Sequence, residues 1–370
     1  MNETGKKKII LTAVIALAAV TLILLLVVYL ASGGALFNRG TRTVLSKSAL
    51  GGAPDFSYES GIEQTYAALG DGLIVANTVG YTYYGSGGKP VCSETVITQR
   101  PTVDENGKYA LIYDLGGTHM RLVSEDGKKT ACGAEGEILF AYAGEGGYFA
   151  VGTKESGYKG AVTVYRPDGT AIYKWYSGEG YLTSAQTSDK GRKLYVSVLT
   201  GEGSRIMMFD TSDTDEKMRC DIPGELVISA APAVNGGAVA VADDAVFSVS
   251  DSGQLKELYR YDGKTLLCTA RGEGYTALAL STSAAQADGT VVTVTDTGTV
   301  KEGESGSAPT YMSASGRYIA VLTSGGAAVF DKTAKNVAVI EERRGAEAVL
   351  MRRSGSVLIV TSHQANAYSV

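Results

Sequence analysis

The sequence predicts an all-β protein, an eight-bladed β-propeller that follows one N-terminal transmembrane helix, and three observations predict it. A turn glycine recurs along most of the chain, short β-branched and aromatic runs follow it, and one long uncharged segment stands near the N-terminus. Of 370 residues, 47 are glycine and 22 are tyrosine, a composition typical of strands joined by tight turns.

The uncharged segment runs from Ile9 to Leu30 and follows three consecutive lysines. As a helix it would extend about 33 Å, enough to cross a hydrocarbon core of about 30 Å. The lysines predict that residues 1–8 form a cytoplasmic tail and that the chain after Leu30 lies outside the membrane. A cleaved secretory signal is the alternative, because small residues follow Tyr29, but the apolar part of such signals spans only about 7 to 15 residues.

A glycine between a polar turn and an apolar run recurs eight times after this segment. Its spacings lie between 35 and 45 residues, as four-stranded propeller blades require. The marks are Gly72, Gly107, Gly147, Gly191, Gly236, Gly274, Gly316 and Gly355. Glycine is expected there because it adopts a positive φ in a tight turn without steric cost. Seven blades is the alternative, if the weak first or last unit belongs to a neighbouring blade.

The stretch "SASGRYIAVLTSGGAAVFD", from Ser313 to Asp331, resembles the repeats of WD40 and YVTN-type β-propellers. In those repeats a similar polar turn with a glycine links the first two strands of a blade. The similarity covers about residues 60 to 370. The Gly-His and Trp-Asp pairs of true WD40 repeats are missing, so a divergent bacterial propeller fits better. A propeller behind one anchor also resembles an uncharacterised membrane-propeller family of Gram-positive bacteria, and this resemblance assigns no site residue.

The last repeat is short. After Gly355 the chain has room for only two strands, so the last blade lacks its outer strand. A strand from the N-terminal side would remove the unpaired edge, and either 41–50 or "DFSYES" at 55–60 is placed to supply it. We therefore expect a linker at 31–42 and an extracytoplasmic propeller at 43–370, closed by strands from both ends.

Residue types that carry catalysis are scarce. His119 and His363 are the two histidines, too few for a Ser-His-Asp triad or a multi-histidine metal site, and we expect both in exposed turns. The cysteines show no metal-binding spacing, and three of them take equivalent positions in separate blades, too far apart for a disulfide. We expect free and mostly buried thiols at Cys92, Cys132, Cys220 and Cys268.

Two acidic groups are candidates for cation or catalytic sites. Asp210, Asp213 and Asp215 lie close together but lack the spacing of a calcium loop, so a solvated acidic turn is favoured. Asp243 and Asp244 are adjacent, whereas a glycosidase needs two carboxylates that face each other across a pocket. We therefore assign no catalytic, metal-binding or cofactor-binding residue.

Aromatic side chains are the remaining candidates for a contact surface. Tyr81 with Tyr83, and Tyr173 with Trp175, stand two apart in predicted strands, so each pair projects from one face. With Tyr176 they form a candidate surface for a sugar or peptide, and Trp175 is the best single candidate. Packing between blades is the alternative interpretation.

These features predict a non-catalytic, membrane-tethered extracytoplasmic propeller that binds or scaffolds a protein or a cell-wall glycan, without a cofactor. Nucleic acid is not an expected partner, because the formal net charge is -5. The alternative is an extracytoplasmic propeller enzyme, either glycan-acting or quinone-dependent. The single tryptophan argues against the quinone-dependent class, whose blades carry tryptophan-rich motifs.

Overall fold

The computed structural model describes residues 43–45, 55–282, 288–341 and 345–370. The predicted cytoplasmic tail, transmembrane helix and linker, residues 1–42, lie outside the described residues. No helix within the described ranges is long and apolar enough to cross a bilayer. Residues Val44–Val370 form one structural unit.

Two short strands, β1 (Thr43–Leu45) and β2 (Phe56–Ser57), precede the first blade. Blades 1 and 2 consist of β3 (Thr65–Leu69), β4 (Gly72–Asn77), β5 (Gly80–Tyr84), β6 (Pro90–Thr95), β7 (Pro101–Glu105), β8 (Tyr109–Asp114), β9 (His119–Ser124) and β10 (Lys129–Gly133). Blades 3 and 4 consist of β11 (Ile138–Ala143), β12 (Phe149–Thr153), β13 (Gly160–Tyr165), β14 (Ala171–Ser177), β15 (Tyr181–Ser188), β16 (Lys193–Leu199), β17 (Gly203–Asp210) and β18 (Glu216–Pro223), with a 3-10 turn at Glu145–Gly147.

Blades 5 and 6 consist of β19 (Val227–Pro232), β20 (Ala238–Ala242), β21 (Ala245–Val249), β22 (Leu255–Arg260), β23 (Thr265–Gly272), β24 (Tyr275–Ser281), β25 (Thr290–Thr295) and β26 (Val300–Glu304). Blades 7 and 8 consist of β27 (Pro309–Ser315), β28 (Tyr318–Thr323), β29 (Gly326–Asp331), β30 (Asn336–Ile340), β31 (Ala348–Met351), β32 (Val357–Val360) and β33 (Gln364–Tyr368), and β2 completes blade 8.

The eight sheets are antiparallel and form a ring. First strands of successive blades contact one another, for example β15 with β19 and β23 with β27, and contact between β31 and β3 closes the ring. The first strands therefore line a central channel, and the later strands of each blade lie progressively further out. The prediction of eight blades is confirmed, and the seven-bladed alternative does not occur.

The repeat glycines lie where the sequence predicts a tight turn. Seven of the eight stand between the first and second strands of a blade with φ from 55° to 87°. The exception is Gly72, which begins β4, and Gly70 two residues earlier takes the left-handed conformation, with φ 59°. Positive φ is costly for side chains with a Cβ, so the period of the sequence marks the period of the blades.

Both chain ends contribute to blade 8. Strand β2 pairs antiparallel with β33, and Phe56 lies opposite Ala365. The hydrogen bond from the Tyr58 N–H to the His363 carbonyl, at 3.0 Å, continues the connection beyond β2. The segment 55–60 thus supplies the outer strand of blade 8, whereas β1, from the segment 41–50, adds a fifth strand outside β30 in blade 7.

Apolar side chains fill the spaces between blades. The second strands are buried on both faces, as in β24, where every residue from Tyr275 to Ser281 is buried. Each fully buried large apolar side chain contributes about 1.5–3 kcal/mol relative to exposure. The thiols follow the same pattern: all four are free, Cys220 is buried and the others are half-buried. Burial raises the pKa of Cys132 and Cys268 to about 11, which favours the protonated, less nucleophilic form of both thiols.

Candidate functional site

The propeller has two faces, which we name by their turns. The glycine face carries the turns between first and second strands, with the repeat glycines, and the turns between third and fourth strands. The connection face carries the turns between second and third strands and the links from one blade to the next.

Exposed large apolar side chains are distributed unevenly between these faces. Twelve are exposed in the described part of the chain. Seven lie on the connection face, namely Ile62, Val79, Ile97, Tyr158, Tyr176, Tyr181 and Leu226. Four lie toward the glycine face, namely Val91, Val234, Leu255 and Val370, and Ile228 lines the channel. The connection face is therefore the more apolar one.

Three of these side chains form an aliphatic patch around blade 1, which we define as Ile62, Val79 and Ile97. Their exposed fractions are 74%, 57% and 72%. Backbone hydrogen bonds connect the three loops, since the Thr78 N–H donates to the Ile62 carbonyl at 3.1 Å and the Thr98 N–H donates to the Thr78 carbonyl at 3.0 Å. The backbone thus holds the aliphatic patch together on the surface.

The loop that carries Ile62 is held in an uncommon conformation. Glu63 has φ 51°, a left-handed conformation that few residues with a side chain adopt. The Gln64 side-chain amide accepts the Gly61 N–H at 2.5 Å and donates to the Tyr66 hydroxyl at 2.9 Å. Glu59 and Glu63 are both exposed on this loop, so the aliphatic patch has an acidic rim.

Aromatic side chains form a second exposed group on the connection face, at blades 3 and 4. The rings of Tyr158 and Tyr176 lie 4.8 Å apart between centroids. The Lys174 ammonium lies 4.9 Å from the centre of the Tyr176 ring, and the Lys159 ammonium lies 4.7 Å from that of Tyr181. Such contacts between cations and aromatic rings contribute about 0.5–1 kcal/mol at exposed sites.

Of the five aromatic residues that the sequence singles out, only Tyr176 is exposed, at 42%. Tyr81 and Tyr83 are buried, at 4% and 3% exposure, in the cluster between blades 1 and 2. Their hydroxyls donate to the Glu94 carboxylate at 3.2 Å and to the Leu69 carbonyl at 3.3 Å. These two tyrosines pack between blades, which is the alternative interpretation of the sequence.

Tyr173 and Trp175 share a face of β14, as their spacing predicts, but that face packs on blade 4. Both rings contact Phe209, with centroid distances of 6.2 Å and 5.2 Å. Sequence reasoning overlooked Tyr158, which stands alone in a polar loop without a strand pattern.

The acidic pair at Asp243 and Asp244 lies beside a third carboxylate that the sequence pattern did not reveal. Oxygens of Glu225, Asp243 and Asp244 lie within 4.8 Å of one another. Arg260 already binds two of them, with Glu225 at 3.0 Å and Asp244 at 2.8 Å. The Asp243 carboxylate accepts the Leu226 N–H at 3.0 Å. The arrangement is a surface ion-pair network around a guanidinium.

Two carboxylates of the acidic turn at 210–215 have nearby partners. Asp213 pairs with Lys217 at 2.6 Å, and Asp210 accepts hydrogen bonds from Ser212 and lies 3.3 Å from Arg192. Hydrogen bonds from Ser212 and Lys217 respectively lower the pKa of Asp210 and Asp213. This geometry is that of a solvated acidic turn.

The central channel contains a cavity of 670 Å³. Residues of six first strands, in blades 2 to 7, line it, and it reaches the glycine-face turns at Gly107 and Gly316. Asp104 and Glu105, at the end of β7, are half-buried acidic residues in its wall. As neighbours on a strand, their side chains leave opposite faces of the sheet, so they do not face each other across the cavity.

Burial dominates the electrostatics of these two carboxyls. It raises the pKa of Asp104 to about 7 and that of Glu105 to about 7. Asp104 Oδ2 accepts the Ala143 N–H at 2.7 Å, which connects blades 2 and 3 and partly offsets the effect of burial. Nearby, burial and the Asp104 charge raise the pKa of Tyr142 to about 12.

Solved structures with similar folds are WD40 domains and other propellers. The C-terminal WD40 domain of Sif2 has a TM-score of 0.63 and 10% identity, over 90% of this chain and 99% of that one. Sqt1 from Saccharomyces cerevisiae has a TM-score of 0.57 and 10% identity, over 86% and 100%. BamB from Moraxella catarrhalis has a TM-score of 0.54 and 16% identity, over 86% and 99%. At these identities the similarity shows the fold alone.

At the level of sequence, the chain has no match among curated proteins. A protein-family model matches residues 54–362, nearly the whole propeller, and the resemblance to WD40-like propellers is confirmed by the structures above. The chain belongs to the family of unknown function DUF5711.

Proposed function

We propose that this protein is a non-catalytic binding module, tethered to the membrane by Ile9–Leu30 with its propeller outside the cell, and that it binds a protein partner through the connection face. The single observation that carries the proposal is the concentration of exposed large apolar side chains on that face. Contiguous exposed apolar surface is a common mark of protein–protein contact sites.

The composition of the connection face favours a protein over a glycan. The aliphatic patch offers branched side chains, which bury apolar area against a protein but do not stack on sugar rings. Tyrosines near the lysines of blades 3 and 4 add side chains that are common in protein interfaces. The acidic rim at Glu59 and Glu63 calls for basic residues around the apolar centre of the partner.

Absence of catalysis is supported by the channel. Asp104 and Glu105, the half-buried acids in its wall, leave opposite faces of one strand, whereas a glycoside hydrolase needs two carboxylates that flank the scissile bond. Tethering and an extracytoplasmic location are supported by the length of the uncharged segment and by the lysines before it.

Site-specific photocrosslinking in native membranes tests the docking proposal. A photoreactive amino acid would replace Val79 or Ile97 on the connection face, and Val234 or Leu255 toward the glycine face would serve as matched exposed controls. We expect one discrete adduct from the first two positions and none from the controls. Equal adducts from all four positions, or none from the connection face, would contradict the proposal.

Protease protection tests the topology separately. Protease added to cells whose wall has been removed but whose membrane is intact should degrade the propeller. In inverted membrane vesicles the propeller should be protected from protease. Release of the propeller by high salt without detergent would count against the membrane anchor.

A further inference from the structure

The channel cavity is a second candidate binding site, independent of docking on the connection face. Its volume of 670 Å³ lies within the range of about 300–1,000 Å³ that is usual for sites of small organic ligands. Six blades contribute to its wall, so a bound molecule would be surrounded by rigid strands.

The charge of the wall is predominantly negative. Asp104, Glu105 and Glu273 are its acidic residues and Arg271 is its basic residue. Arg271 is already paired with Asp296, at 2.6 Å and 2.7 Å through its two terminal nitrogens. The positive charge of Arg271 is therefore neutralised by Asp296, which is not part of the cavity wall. The wall itself has more carboxylates than basic groups.

Asp104 and Glu105 have no basic partner of their own. Among the described residues, neither forms an ion pair with Lys, Arg or His. The positive charge of Arg353 acts on Glu105 from a distance and lowers its pKa slightly. The Arg353 guanidinium itself is bound to the Glu125 carboxylate at 2.7 Å and to the Gly107 carbonyl.

Each carboxylate is held through one oxygen only. Asp104 accepts the Ala143 N–H and Glu105 accepts the Gly107 N–H, while the other oxygen of each has no hydrogen-bond donor in the described part of the chain. Half-buried carboxylates without a counter-ion destabilise a fold, and groups of this kind are frequent at ligand sites. Their free oxygens are available to a cationic donor.

We propose that the cavity binds an organic ammonium ion. Asp104 and Glu105, on the β7 wall of the cavity, supply the negative charge that attracts it, and Tyr142, Ile228 and Val241 lie against its alkyl part. The source is either a free polyamine or the lysine side chain of a peptide, since both present the same group on an apolar stem. An organic cation fits better than a metal ion, because no group of three ligand residues that could hold a metal includes these carboxylates within the described ranges.

Calorimetric titration of the full-length protein in detergent tests this proposal. The probes are spermidine for the free polyamine and acetyl-lysine amide, acetylated at Nα so that its ε-ammonium stays free, for the lysine side chain. The neutral control is 1,6-hexanediol. The variant D104N/E105Q removes both charges with little change of shape. The variant D213N/D215N removes two charges from the exposed acidic turn and is the matched control.

We expect at least one ammonium probe to bind the wild type and the D213N/D215N variant alike, and to bind D104N/E105Q at least tenfold more weakly. Preference for spermidine or for acetyl-lysine amide identifies the source. No binding of either probe at millimolar concentration, or equal weakening of probe binding in both variants, would overturn the proposal.

A second variant keeps the test decisive if D104N/E105Q does not fold. Gln186 lines the same cavity from β15, and Gln186→Lys places a built-in ammonium there. It should abolish binding of the probe that the wild type binds, whereas Glu202→Lys, in an exposed turn of blade 4, should leave it intact. Unchanged probe binding by folded Gln186→Lys contradicts the proposal.

Discussion

The Tyr58 hydroxyl donates a hydrogen bond to the Thr361 carbonyl at 2.8 Å, and it thereby joins residues 303 positions apart in the chain. This contact lies beside β2, where Phe56 belongs to the same buried apolar cluster as Leu350 and Leu358 of blade 8. The strand pair, this hydroxyl and the buried ring thus join the two ends of the propeller, and Asp55 Oδ2 adds a further connection by accepting the Ala367 N–H at 2.7 Å. Closure of the ring depends on a short segment.

Replacement of Phe56 by alanine should destabilise the propeller substantially. Phe56 is almost fully buried, and loss of a buried phenylalanine typically costs about 3–5 kcal/mol. The expected result is a lower urea midpoint, with faster hydrogen exchange first in blade 8. The exposed neighbour variant Ser57→Ala is the control, and equal midpoints for the two variants would contradict the role of Phe56 in closure.

Replacement of Gly316 by alanine should lower stability through the backbone alone. Gly316 has φ 55° and open space where a Cβ would stand, so no steric contact adds to the cost of the left-handed conformation. We expect a loss of about 1–2 kcal/mol in urea denaturation. Gly87→Ala is the matched control, since Gly87 is exposed with open space and without positive φ. A loss of the same size at Gly87 would refute the explanation.

The triple variant I62S/V79S/I97S should lose its partner without losing stability. The three side chains are largely exposed, and surface substitutions of this kind usually change stability by less than about 0.5 kcal/mol each. Crosslinking from a probe at Leu226 should fall at least tenfold, while thermal unfolding stays unchanged. Val234→Ser is the control toward the glycine face, and crosslinking that survives the triple variant would argue against docking there.

The contribution of Asp104 and Glu105 to the stability of the propeller should fall as pH rises from about 4 to about 7. The usual pKa values of aspartate and glutamate carboxyls are 3.8 and 4.5, whereas the pKa values of Asp104 and Glu105 in the folded state are about 7. The folded state therefore binds more protons than the unfolded state in this window. The stabilising contribution of the two carboxyls is fully present below the unfolded pKa and is lost as pH rises through 7. The titratable groups that face them are Tyr113, Tyr142, Tyr311 and Arg353.

The measurement is urea denaturation of wild type and D104N/E105Q across pH 4 to 8. The difference in stability between the two proteins should shift in favour of the variant as pH rises, because the variant cannot ionise at these positions. A difference that stays constant with pH would show that these carboxyls do not titrate in this range.

Much of the fold could be predicted because the backbone conformation of each turn and the repeat period of the blades select the same residue at the same positions. A turn that needs positive φ selects glycine at the same point of every blade, and Gly107, Gly191 and Gly355 all mark such turns. The short final repeat likewise predicted an outer strand from the N-terminal side, and the segment around Phe56 forms it. The positions of the strands follow from properties that each segment carries by itself.

The candidate sites could not be predicted in the same way. Tyr83 and Tyr176 have the same residue type and both lie in strands, yet one is buried against blade 2 and the other is exposed. Alternation shows which residues share a face of a strand, but not whether a neighbouring blade covers that face. Glu225 joins Asp244 around Arg260 only because the link between blades 4 and 5 folds back on a hairpin.

The sequence by itself determined the class of fold, the number of blades and the turns between their first two strands, because these depend on local backbone conformation and on a repeat period. Only the tertiary structure decided which aromatic side chains reach solvent, which loops bring Ile62, Val79 and Ile97 together, and which carboxylates line the channel. Those features depend on contacts between blades far apart in the chain, and no local pattern encodes such distances.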